Sequence, residues 1–116
     1  MTAWNRPSKD LEEILENIVV RYPCDVKKMF GSTVYFVNNN MFAGVHQDKV
    51  FIRVPLAEKE SIRERYHGLG NFEPLQGRVM REYLTLPGEL ARDDGLLEEI
   101  LEISFSYVSA MPPKRE

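Results

Sequence analysis

Residues 26–54, VKKMFGSTVYFVNNNMFAGVHQDKVFIRV, hold three apolar stretches joined by two turn signals, with no helical periodicity between them. Consecutive strands joined by turns this short run antiparallel. Asn38-Asn39-Asn40 tolerates left-handed backbone and suits a tight hairpin, and Gln47-Asp48-Lys49 supplies the next turn. Gly31-Ser32 interrupts the first stretch, so residues 27–30 and 33–37 form either one bulged strand or two pieces. Residues 41–46 and 50–54 complete the meander, which Pro55 ends. Alternation puts Val50, Ile52 and Val54 on one face and Phe51 with Arg53 on the other. A ribbon that is apolar on both faces has to be covered.

The flanking sequence supplies the cover. Ser8 is placed to cap a helix just after Pro7, with Asp10, Glu12 and Glu13 near the positive end of its dipole. Leu11, Ile14, Leu15, Ile18, Val19 and Tyr22 then form one apolar stripe, stopped by Pro23. Residues 58–66 read as a short, weakly patterned helix anchored by Ile62 and Tyr66 and ended by Gly68 and Gly70. A loop through Pro74 and Gly77 leads to a last strand at 79–86, stopped by Pro87, with Met80, Leu84 and Leu86 on one face and Arg81, Tyr83 and Thr85 on the other. Asp93 or Asp94 caps the final helix, whose stripe is Leu97, Ile100, Leu101, Ser104, Val108 and Met111, and Pro112-Pro113 ends it. Residues 114–116 read as a free tail. The order α-β-β-β-α-β(β)-α predicts an α+β two-layer sandwich: an antiparallel sheet of about four to five strands with helices mainly on one face.

A chain of 116 residues is read as a single domain over 1–116. No stretch reaches the ~18 apolar residues of a membrane span, and MTAWNRPSKD lacks the apolar core of a signal peptide. A single cysteine, Cys24, excludes an intramolecular disulfide and agrees with a reducing, cytoplasmic setting. The net charge of −3 is unevenly spread: residues 26–87 carry +3, residues 1–25 carry −2 and residues 88–116 carry −4. This disfavours non-specific nucleic-acid binding by the whole molecule, which wants a concentrated basic face.

Chemistry is sparse. His46, His67 and Cys24 lack the close Cys/His spacing of a zinc site, so no metal and no cofactor is expected. Cys24 reads as a small hydrophobe at a helix end, and the acidic pairs Asp93-Asp94 and Glu98-Glu99 as helix-start residues. Neither GxGxxG nor GxxxxGK occurs. The segment Gly77-Arg78-Val79-Met80-Arg81-Glu82-Tyr83 holds more content, because Arg81 and Tyr83 share a face with Arg53 and Phe51 if their strands are neighbours. Arginine beside aromatics binds anions, stacks bases or forms protein interfaces.

Lys28-Met29-Phe30-Gly31, Met41-Phe42-Ala43-Gly44-Val45, the aliphatic strand at 50–54, Phe72-Glu73-Pro74 and Gly77-Arg78-x-Met80-x-x-Tyr83-x-x-Leu86-Pro87 follow one another in an ordered set. This set resembles the N-terminal domain of TfoX/Sxy proteins, bacterial regulators of DNA-uptake competence. The resemblance implies an antiparallel sheet flanked by helices, similar to secretion-chaperone-like sandwiches. It also implies a free-standing N-terminal module, without the helical second domain that full-length relatives carry. It offers no catalytic residues. Its shared positions Met29, Phe30, Gly31, Met41, Phe42, Gly77, Met80, Leu86 and Pro87 are expected to be structural, with Phe30 and Phe42 in the core.

The resulting expectation is a non-catalytic regulatory or adaptor domain working through an unidentified protein partner. The alternatives are a nucleic-acid-binding domain or a nucleic-acid-modifying enzyme. The binding candidates are Arg53, Arg78, Arg81, Tyr83 and Lys28. Apolar residues on both sheet faces and an open edge also make a homodimer a natural expectation.

Overall fold

The computed structural model describes residues 9–29 and 31–114. The first stripe forms α1 (Lys9–Val19), burying Leu11, Leu15, Ile18 and Val19. The expected cap at Ser8 lies outside the described residues, as do Phe30 and the last two positions. The chain continues through β1 (Asp25–Met29), β2 (Ser32–Val37), β3 (Asn40–His46), β4 (Lys49–Arg53), α2 (Leu56–Arg65), β5 (Gly70–Leu75), β6 (Arg78–Pro87), α3 (Gly88–Ala91) and α4 (Asp94–Ser109).

The strands form one antiparallel sheet in the order β1-β2-β3-β4-β6-β5. It has six strands, more than the four to five expected, because residues 70–75 are β5 and not a loop. Pro74 argued for a loop, yet β5 is an edge strand, where a missing N–H is tolerated. Gly77, at φ +82°, makes the turn into β6. Gly31, at φ +73°, separates β1 from β2 as two strands. Asn38 and Asn39 both take positive φ, 52° and 67°, giving the two-residue hairpin turn that the asparagine run predicts.

The helices lie on one face. Between them and the sheet sits a core of α1 and α4 aliphatics with Tyr35, Val37, Phe42, Ala43, Val45, Val50, Ile52, Leu84 and Leu86. A bulge in the β2–β3 ladder carries the register from Tyr35↔Ala43 to Phe36↔Met41, leaving Phe42 as the extra residue. The bulge turns both Phe42 and Ala43 toward the helices. Asp93, not Asp94, caps α4 by accepting a bond from Leu96 N at 3.2 Å. The chain after α4 is tied to the β2–β3 turn: Asn40 Nδ2 donates to Pro112 O at 3.0 Å, and Lys114 N donates to Asn38 O at 2.9 Å. Lys114 is therefore not part of a free tail, because the turn's open carbonyl accepts its N–H. No described helix is long and apolar enough to cross a membrane.

The opposite face has a second, smaller core: Val34, Phe36, Phe51, Phe72 and Tyr83, with Met41 and Met80 packed against it. An antiparallel sheet with helices on one side commonly leaves its other side wet. Here β5 closes it instead. Its register with β6 jumps from Asn71↔Leu84 to Phe72↔Met80, so Arg81, Glu82 and Tyr83 have no β5 partner.

Candidate interaction surface

The aromatic cluster is built from three strands. Phe51 on β4 stacks on Phe72 of β5 with ring centroids 4.3 Å apart and planes 5° from parallel. Tyr83 on β6 meets both rings at an angle, 6.0 and 5.9 Å away. The space for Phe51 comes from Gly44, its cross-strand partner. A Cβ at Gly44 would stand 2.6 Å from Phe51 Cζ. The Tyr83 hydroxyl donates to Met41 O at 2.9 Å, and burial pushes its pKa up to about 12.

Arg53 pairs across the ladder with Tyr83 and its guanidinium lies 5.7 Å from that ring. The same guanidinium is held by Glu82 at 2.7 Å, and Glu82 also accepts from the Tyr107 hydroxyl of α4 at 2.6 Å. Burial pushes the Glu82 carboxyl up, but the Tyr107 hydroxyl and Arg53 outweigh it and leave it below its ordinary 4.5. A carboxyl depressed in the folded state contributes stability that is complete above its unfolded value and is lost as pH falls through the folded one. Glu82→Gln is therefore expected to cost on the order of 1–2 kcal/mol at neutral pH. The gap from the parent protein should close in acid, as thermal midpoints of the two across the carboxylate range will show. A gap that stays constant with pH would mean that the contribution is packing.

Another charged group supports this region. Lys59, only 6 % exposed, donates from Nζ to Arg81 O at 2.7 Å. It satisfies a carbonyl in the stretch of β6 that β5 leaves unpaired. Burial, with Arg63 nearby, lowers its ammonium from the usual value. Lysine on a weakly patterned helix gives no hint of burial in the sequence.

The binding candidates are thus brought together only in part. Arg53 and Tyr83 are neighbours, but Tyr83 is 6 % exposed and Arg53 is occupied by Glu82. Arg81 is exposed close by, and Arg78 sits at the start of β6 beside the hairpin turn. Lys28 lies on β1, separated from β6 by the three strands β2, β3 and β4, and donates to Thr33 Oγ1 at 3.2 Å. Arg78 and Arg81 have no carboxylate within ion-pair distance among the described residues. Of the family-pattern positions, Phe42 and Leu86 are fully buried, Met41 and Met80 pack on the aromatic cluster, Met29 is 36 % exposed and Pro87 closes β6.

Cys24 is half-buried, and burial followed by Asp25 raises its thiol above the ordinary value, opposite to what an activated nucleophile needs. His46 packs edge-on to Phe72 at 5.5 Å. No group of three or more His, Cys, Asp or Glu side chains suited to a metal ion occurs among the described residues.

The sequence singles out Arg78 at the tip of the β5–β6 hairpin but not the apolar residues around it, because residues 70–77 read as loop. Leu75 is 65 % and Val79 44 % exposed there. With Pro74, Arg78 and Met80 they line a recess of about 500 Å³. Glu73 accepts from Gly77 N across the turn and holds the tip in shape.

A family model described as the TfoX N-terminal domain matches residues 19–107. The chain belongs to the TfoX N-terminal domain family. The match runs from the end of α1 to near the end of α4, so it takes in the whole sheet of this TfoX N-terminal domain, the aromatic cluster, and the aliphatic core except for Leu11, Leu15, Ile18 and Val108. No curated protein and no solved structure matches the chain.

Proposed function

We propose that this TfoX N-terminal domain is a non-catalytic regulatory or adaptor module, of the kind that serves competence regulators, and that it acts through protein contacts at the β5–β6 hairpin tip. The observation that carries this reading is the exposure of Leu75 and Val79 around one recess, next to an arginine with no acidic partner among the described residues. Apolar side chains rimmed by a charge are the usual make-up of a protein contact. A partner suited to the tip offers an apolar side chain flanked by a carboxylate for Arg78. Base stacking is a weaker reading, because the rings it would use, Phe51, Phe72 and Tyr83, are packed on one another.

The test places a photo-crosslinking residue at Leu75, or at the control position Asp94, in cells of the source organism. A discrete adduct from position 75 that is absent from 94, and that is lost when Val79→Asp and Arg78→Glu are added, supports the reading. Identical adduct patterns from both positions, or none from 75, overturn it. Circular dichroism of each variant checks that the tip changes leave the fold intact, as their exposure implies.

A further inference from the structure

The two edges of the sheet are treated differently. β5 carries Pro74 and two register shifts, which make a poor template for another strand. β1 is the reverse: five residues, Asp25–Met29, all exposed, pairing with β2 in unbroken register and containing no proline. α1 packs chiefly on β3 and β4, and all five β1 residues stay exposed. Among the described residues nothing pairs with the outer side of β1, which presents a row of backbone donors and acceptors.

The pairing with β2 shows which way each side chain points. Val26 faces Tyr35 and so lies on the helix side, whereas Asp25 and Lys27 face Phe36 and Val34 and lie on the far side. Lys27 Nζ lies 4.8 Å over the Phe36 ring. Val26 is 60 % exposed and lies in a groove of about 410 Å³ whose floor is Val20, itself 67 % exposed, and Tyr35, and whose α1 wall carries Lys9, Glu12, Glu13 and Glu16.

We propose that β1 is a homodimer edge, pairing antiparallel with β1 of a second copy of this chain about a two-fold axis at Val26. A two-fold axis perpendicular to the sheet keeps each side chain on its own face, so the axis has to pass through a residue and not between two. Centred on Val26, the register sets Val26 against Val26 on the helix side. On the far side it sets Asp25 against Lys27 of the other copy, twice. The segment Asp-Val-Lys is thus complementary to itself, charge against opposite charge on one face and apolar against apolar on the other. Centred on Lys27, the register would instead oppose two lysines. Lysine on an exposed edge ordinarily deters pairing; here Asp25, on the same face two residues away, supplies each lysine with its partner. The joined sheet brings both Val20–Val26 grooves to the dimer axis and leaves the two β5–β6 tips at its outer ends, so this interface and the proposed partner surface are independent.

Sedimentation equilibrium over a wide concentration range tests this. The parent chain is expected to be a dimer that dissociates on dilution. Lys27→Asp is expected to raise the dissociation constant at least about tenfold, because Asp25 of each copy then meets a carboxylate in place of an ammonium. Adding Asp25→Lys to that variant should restore the parent affinity. In a Cys24→Ser background, Val26→Cys should form a disulfide-linked dimer under mild oxidation, and Val79→Cys should not. A chain monomeric at every concentration overturns the proposal. So does a dimer indifferent to Lys27→Asp, or a double swap that stays as weak as the single change.

Discussion

Truncating Phe51 to alanine is expected to remove about 3–5 kcal/mol of stability and to lower the thermal midpoint by more than about 10 °C. Phe51 is fully buried, although it points away from the helices, and its ring is the platform on which Phe72 and Tyr83 pack. Its loss leaves a cavity that Gly44 has no side chain to fill, and it removes the stack that holds β5 over the sheet. Chemical denaturation gives the free energy, and hydrogen exchange across residues 70–80 should show the hairpin losing protection first. A change below about 1 kcal/mol would mean that the far-side cluster is no core at all. The reciprocal substitution, Gly44→Ala, pushes a methyl into the same ring and is expected to cost about 1–3 kcal/mol. Phe51→Leu, which vacates that space, should recover part of the loss in the double variant. Recovery of this kind distinguishes a steric clash from a general weakening of β3.

The second large effect concerns α4. A chain ending at Asp93 is expected not to fold. Leu96, Leu97, Ile100, Leu101 and Val108 are all buried against the sheet. At about 1.5–3 kcal/mol each, their burial is comparable to the whole stability of a domain this size. The helix also brings Ser104 to the Phe42 carbonyl and leads the following segment to the β2–β3 turn. The expected result is no cooperative transition in denaturant, together with strong binding of a hydrophobic dye. A milder variant, Leu101→Ala, should stay folded with a loss of about 2–5 kcal/mol. A truncated chain that still melts cooperatively would show that the sheet and α1 suffice.

Much of the architecture can be read from particular residues. The asparagines at 38 and 39 mark a tight turn, the stripe from Leu97 to Val108 marks a buried helix, and alternation separates Val50 and Ile52 from Phe51. The rest depends on what meets across the sheet. Phe72 sits among Gly70, Pro74 and Gly77, whose local preferences argue for a loop, and it is the pairing with β6 together with the stack on Phe51 that makes that segment a strand. The alternation of β4 and β6 correctly places Arg53 with Tyr83. It does not reveal that β5 would cover the rings, whereas the pairing of Arg53 with the nearby Glu82 is within reach of the sequence. Lys28 and Arg53 stand together among the binding candidates, but strand order, which local sequence does not encode, sets them on different parts of the sheet. Lys59 is invisible for a related reason, since its role is set by a carbonyl 22 residues away.

The three residues of β6 that skip pairing with β5 uncouple the register of β5 from that of β4. Because the ladder with β4 stays regular through Arg53↔Tyr83, a relative could gain or lose residues beyond Phe72 without shifting the rest of the sheet. Insertions within this lineage should therefore gather at the hairpin end, where the domain can acquire new specificities while its scaffold stays unchanged.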